Sequence, residues 1–193
     1  MGAVEGFKGA SLLAKVSLVL LLIAALFSWI SFTTTGWAKI AVAVPGTPAV
    51  YTYTYYGLWR SCQGNNLLIA TCGQLDGTAN DWWAATQALV TFGFLGINFA
   101  LFFLVLKMFV GACAKNGEIA MATAIICIAT GVLYLIGVIV FGAEFNEHFI
   151  EPYGSIHKFG FGFALSIIAM VLEIVAGVLL IVDNKKGGTS PSA

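Results

Sequence analysis

Gly57-Leu58-Trp59-Arg60-Ser61-Cys62, preceded by Trp37 and followed by Cys72, is the stretch on which the fold turns. It lies between two long apolar runs, inside a segment from Thr33 to Asp81. A loop of that length inside a compact chain is expected to carry structure of its own. Tryptophans and a cysteine pair placed there point to a folded cap on one side of a membrane.

The membrane follows from composition. Hydrophobic residues make up 60% of the chain and charged residues 9%, where soluble domains carry about 25% charged residues. Four apolar runs absorb the excess, and the spans are read as 12–32, 84–106, 119–141 and 159–182. Roughly 20 apolar residues cross about 30 Å of hydrocarbon. The first run reaches that length through Leu12 and Leu13, with Lys15 snorkelling to the headgroups. As a cleaved signal it would be long for its class and would lack a clean small-x-small site.

With the N-terminus inside, Lys8, Lys15, Lys107, Lys115, Lys185 and Lys186 are cytoplasmic, and Lys39, Arg60 and Lys158 are outside. This obeys the positive-inside rule and places both termini in the cytoplasm. The outer loops are then 33–81 and 142–158, joined to one four-span domain over 1–183. The polar tail, 184–193, is expected to be disordered. Trp82, Trp83 and Tyr153 fall near the outer interface, where belt anchoring accounts for Trp82 and Trp83. Short connections make an all-α four-helix bundle the default architecture.

The first outer loop adds β structure. Trp37 to Val44 and Ala49 to Tyr56 flank Pro45-Gly46 and read as a hairpin. Gly64-Asn65-Asn66 is a second turn signal, with a third strand expected over Leu67 to Thr71. Cys62 and Cys72 share this loop and an oxidising compartment, so a bridge is expected, with free thiols as the alternative. A bridge across ten residues would stabilise by about 2.5–3 kcal/mol. Cys113, at the inner boundary, is a candidate for palmitoylation or an inert thiol, and Cys127 lies within the third span.

Glu173 sits in the fourth span, where a carboxyl costs about 2.5–3.5 kcal/mol and must face the bundle, be protonated, or both. Asn98 is its expected hydrogen-bond partner, counted at equal depth in the second span. A proton relay would need further ionisable groups, so a structural role is favoured. His148 and His157, with Glu144, Glu147 and Glu151, have no recognised metal-ligand spacing and read as a solvated loop. Gly96/Ala100 and Gly160/Ala164 have the small-xxx-small spacing of close helix contacts. No nucleotide loop, catalytic triad, paired catalytic carboxylates or nucleic-acid patch is visible. No enzymatic activity, cofactor, metal or nucleic-acid partner is expected, and Asn-x-Ser/Thr is absent.

A tryptophan after the first span, then Gly-Leu-Trp-x2-Cys-x9-Cys, then three more spans, resembles the claudin and peripheral-myelin-protein superfamily, which includes the epithelial membrane proteins. The residues are Trp37, Gly57, Leu58, Trp59, Cys62 and Cys72. The resemblance implies a left-handed four-helix bundle with a small antiparallel extracellular sheet, built mainly from the first loop. It implies a Cys62–Cys72 disulfide and Trp37 and Trp59 packed near the membrane. It implies association with itself or related four-span proteins, within one membrane and across cells. Lys39, Arg60, Asp76 and Asp81 become candidates for a paracellular path, and Phe145, Phe149 and Tyr153 for contacts between cells. Two departures stand out. Gln87 occupies the region where claudins usually carry Arg, and the chain ends Ser190-Pro191-Ser192-Ala193, without the Tyr-Val that binds PDZ scaffolds. A PDZ partner is therefore not expected, and an invertebrate claudin-like or epithelial-membrane-protein-like relative fits better.

Two functions compete. One is a claudin-like plasma-membrane protein of cell–cell junctions, mediating adhesion and a paracellular barrier or ion-selective permeability. The other is an auxiliary, gamma-type subunit of an ion channel or receptor, since those share the Gly-Leu-Trp and cysteine pattern. The short tail after Asp183 favours the first.

Overall fold

Four helices carry the apolar runs, and each continues past the C-terminal end of its run; the fourth begins at Phe161 rather than 159, because Phe159 belongs to a strand. The computed structural model describes residues 3–43, 51–65, 68–75, 80–114, 116–149 and 156–188. In chain order the helices are α1 (Ala3–Gly9), α2 (Leu12–Thr33), α3 (Asp81–Phe109), α4 (Gly111–Ala114), α5 (Gly117–Phe149) and α6 (Phe161–Gly188). The strands are β1 (Ala38–Ala43), β2 (Tyr51–Tyr56), β3 (Arg60–Asn65), β4 (Leu68–Gln74) and β5 (Ile156–Phe159). α2, α3, α5 and α6 are each long and apolar enough to cross a membrane. The shortest of them, α2, is about 33 Å long at 1.5 Å per residue.

Caps set where helices begin. The Ala14 amide donates to Ser11 Oγ (3.0 Å) at the start of α2. The Glu118 amide donates to Asn116 Oδ1 (2.9 Å) at the start of α5. Each removes an orphaned first-turn donor. Helix ends move outward from the hydrophobic boundaries because backbone hydrogen bonding continues beyond the hydrocarbon. α5 takes in 142–149, half of the expected second loop. Phe141, Phe145 and Phe149, spaced by four, form one face of that continuation. α6 runs to Gly188, into the expected tail, with Lys185 and Lys186 favourably placed in its last turn. Residues 189–193 lie outside the described residues.

The chain divides into two compact units. The first comprises 1–26, 92–134 and 168–193. Leu18, Leu21, Ala100, Leu104, Ala124, Cys127, Ala176 and Leu180 are among its buried core. Outward residues are also apolar, including Leu22, Phe99, Phe102, Ile125 and Val178, as a lipid-facing surface requires. Lipid supplies no hydrophobic drive between helices, so close fit must hold them. A Cβ on Gly96 would overlap the Thr130 side chain, and one on Gly131 would lie 2.6 Å from Ile174 Cγ1.

The second unit comprises 27–91 and 135–167. It holds one antiparallel five-stranded sheet in the order β4-β3-β2-β1-β5. The expected hairpin is β1–β2, with Ala38 opposite Tyr56 and Ala43 opposite Tyr51. The strand expected at 67–71 is β4, and β3 intervenes across the cysteine motif itself. β5 comes from the second loop and pairs with the β1 edge, Lys39 opposite Lys158. Four residues are too few to announce a strand by alternation, and only the free edge of β1 gives them a partner. Ala164 is exposed, and the buried small residues at that helix start are Gly162 and Ser166.

Candidate functional site: the aromatic base and open face of the sheet

The base of the sheet is fixed by side chains that donate to backbone carbonyls. Trp37 is fully buried. Its Nε1 donates to the Ser31 carbonyl at 2.8 Å. Its ring meets Phe141 edge-on at 4.9 Å and Phe163 at 5.9 Å. Its own backbone bridges two strands' ends: Trp37 N donates to Tyr56 O, and Gly160 N donates to Trp37 O. Packed aromatic pairs of this geometry add about 0.5–1.5 kcal/mol each beyond area burial.

Leu58 is the second fixed point, also fully buried. Its carbonyl accepts from Trp83 Nε1 at 3.0 Å and from Gln87 Nε2 at 2.8 Å. Gln87 is thus a neutral donor to the motif's backbone. Trp83 is buried and hydrogen-bonded rather than a belt anchor. Trp82 is half-buried against His148 (5.6 Å). Their adjacency in sequence resembled a belt because aromatic pairs at a span's edge read the same in both roles. Gly57 is needed where it stands, since a Cβ there would overlap the Thr34 carbonyl oxygen.

Trp59 lies edge-on to Phe32 at 5.2 Å and stays 38% exposed. The Gly-Leu-Trp motif therefore buries its leucine and leaves its tryptophan at the surface. Cys62 and Cys72 face each other across β3 and β4 and form a disulfide.

Phe145 is buried, stacked on Phe141 (5.3 Å) and Phe149 (4.9 Å), with Tyr56 at 5.6 Å. It lies on α5, not in a loop, and is closed to contacts between cells. Phe149 is half-buried and meets Tyr56 at 5.3 Å. Tyr153 lies outside the described residues. Tyr56 sits among these rings, and burial pushes its hydroxyl above the ordinary tyrosine pKa. His148 Nδ1 lies 3.4 Å from Glu144 Oε2, one turn away on α5. His157 is a strand residue opposite Ile40.

The other face of the sheet is open. Alternation puts Ala38 and Ile40, both buried, on one face of β1 and Lys39 and Ala41 on the other. Cross-strand register carries that parity outward: Lys158, Lys39, Tyr55, Cys62 and Cys72 form one row across all five strands. Tyr51, Tyr53 and Arg60 share the face by the same count. Lys39 Nζ lies 4.0 Å from the Tyr53 ring centre and 5.1 Å from that of Tyr55. Lys39, Ala41, Tyr51, Tyr53 and Lys158 line a hollow of ≈ 230 Å³. Arg60, Tyr55 and Cys62 border another beside Thr33–Gly36.

Lys39, Arg60 and Lys158 thus share one face, and among the described residues no acid joins them. Asp81 is instead the exposed first residue of α3, and Asp76 lies outside the described residues. Lys158 escaped the charge candidates because it becomes a neighbour of Lys39 only through β5.

In the first unit, Glu173 is fully buried, and Thr130 Oγ1 lies 2.6 Å from its Oε1. Asn98, its expected partner, donates to the Phe94 carbonyl of its own helix at 2.7 Å. Gly96 is the residue of α3 that meets Thr130, and Asn98 is about 200° further round that helix. Cys113 is half-buried on α4.

The family model described as PMP-22/EMP/MP20/Claudin matches residues 7–180. A search of curated proteins finds no match. The matched stretch takes in three spans and most of the fourth, Trp37, the Gly57-Leu58-Trp59 motif, both bridged cysteines and β5. The chain is a multi-pass membrane protein and belongs to the PMP-22/EMP/MP20/Claudin family.

Proposed function

We propose that this is a plasma-membrane protein of cell–cell contacts, with the sheet outside the cell and both termini in the cytoplasm. It associates with itself or related four-span proteins, side by side and across cells, and sets the passage of ions between them. The orientation is supported by the six lysines on the inner segments against three basic residues on the outer ones. A disulfide in the sheet accords with an oxidising outer space.

The observation that carries the ionic reading is the open face of the sheet. Lys39, Arg60 and Lys158 share it, and fixed charge of one sign concentrates counter-ions along a confined surface. Such a lining favours anions over cations. Association is supported by apolar and aromatic side chains left outward on the sheet, Val42, Tyr51, Tyr55, Trp59 and Phe159.

The test uses two populations of non-adherent cells and an epithelial monolayer. The protein should concentrate at borders between expressing cells. In the monolayer, Lys39→Glu and Arg60→Glu should each move the chloride-to-sodium permeability ratio towards sodium without lowering border enrichment. Even distribution over the surface, with co-purification of a channel, would overturn the junction reading in favour of an auxiliary subunit.

A further inference from the structure

The first unit has a hollow, bordered by charged side chains, that the junction reading does not use. It lies where α2 starts and α3 and α6 end. The hollow measures ≈ 590 Å³, and its lining includes Ser11, Leu12, Leu13, Lys107, Asp183 and Lys186. Two ammonium groups from different helices thus border the same space as one carboxylate. Lys107 and Asp183 have no ion pair among the described residues. Leu12 is strongly exposed and Leu13 half-buried, at the first residues of a membrane-crossing helix.

We propose that this hollow binds a phospholipid headgroup that carries both a phosphate and a primary amine, as in phosphatidylethanolamine or phosphatidylserine. Lys107 and Lys186 hold the phosphate oxygens by charge-assisted hydrogen bonds. Asp183 accepts the N–H of the amine. Leu12 and Leu13 give the acyl chains an apolar start. The mixture of signs selects this ligand. A bare phosphate would meet the repulsion of Asp183, and a choline headgroup has no N–H to donate to it. The location agrees, because the ends of membrane-crossing helices lie at the level of the headgroups.

The experiment is native mass spectrometry of the purified full-length protein. It is titrated with phosphatidylethanolamine, phosphatidylcholine of the same acyl chains, and soluble phosphoethanolamine. Phosphatidylethanolamine should be retained over phosphatidylcholine. Lys107→Gln and Lys186→Gln should each lower retention of both lipids, by about fivefold for one charge at a membrane surface, and Lys107→Arg should restore it. Asp183→Ala removes the acceptor and should abolish the preference for phosphatidylethanolamine over phosphatidylcholine. Thermal unfolding of each variant at the wild-type midpoint excludes a folding defect as the cause. Equal retention of the two lipids, or a preference unaltered by Asp183→Ala, overturns the proposal. Displacement of lipid by an equal concentration of soluble phosphoethanolamine would also overturn it, since the ligand would then be a free phosphoamine.

Discussion

The indole of Trp37 and the carboxyl of Glu173 are both fully buried, one in each unit. Trp37 is held in the unit that carries the sheet. It donates to a carbonyl in the last turn of α2 and lies against two phenylalanine rings, while strands on either side are tied to its own backbone. Glu173 is held among helices by one threonine, and small residues leave space for that contact. Where helix ends and turns leave carbonyls unpaired, large side chains with a single N–H can fix the chain. Within the helices nearly every backbone group is already paired, so most polar side chains turn back on their own helix, although Ser17 donates across to Ala176 O at 3.4 Å. In the helical unit Thr123 and Thr130 both donate to the carbonyl four residues earlier. The sheet unit is specified by directed bonds, and the helical unit by steric fit.

The largest effect should come from removing a directed anchor. Trp37→Ala deletes the Ser31 bond and both ring contacts, and a large aromatic-to-alanine change in a core costs about 3–5 kcal/mol. That is a large share of the about 5–15 kcal/mol that holds a typical domain. Surface delivery should be lost. Trp37→Phe keeps a ring and loses the hydrogen bond, at about 1 kcal/mol, and should reach the surface. Equal surface levels for the two variants would show that ring packing does not anchor this unit.

The disulfide comes next. Cys62→Ser or Cys72→Ser should cost about 2.5–3 kcal/mol by loss of chain constraint. The loss should appear as new protease cleavage between residues 51 and 75, with the span helices still protected. Reductant added to the wild-type protein should give the same cleavage map. Loss of protection throughout the helices would break the contrast between the units.

How much of this could be read from the chain depended on range. The β1–β2 hairpin was legible because Pro45-Gly46 separates two alternating runs, and both its signals are local. The spans were legible from composition. Phe141, Phe145 and Phe149 did signal the helical extension by their spacing, but a boundary placed at Gly142 hid the pattern. β5 was not legible, because its partner strand lies more than a hundred residues away. The basic row Lys158–Lys39 was hidden for the same reason. Thr130 as the partner of Glu173 was hidden too: depth along a helix can be counted from sequence, but rotation about it depends on which glycine faces which neighbour.

The smallest effect tests the helical unit at that contact. Thr130 Oγ1 lies 2.6 Å from both Ile126 O and Glu173 Oε1. A hydroxyl has one proton to donate. If it goes to Ile126 O, the second bond requires the proton of a neutral Glu173 carboxyl, donated to Thr130. Glu173→Gln supplies an N–H in the same place and should preserve surface expression. Glu173→Leu removes the bond and should cost about 1 kcal/mol, within the range for hydrogen bonds between membrane helices. Thr130→Ala should then add little to Glu173→Leu, because the two act through one bond. Full additivity of the two losses would show that the carboxyl is held by something other than Thr130. A Glu173→Gln protein that expresses normally but loses a proton-dependent activity would make the carboxyl a relay, and steric fit would no longer describe what this unit is for.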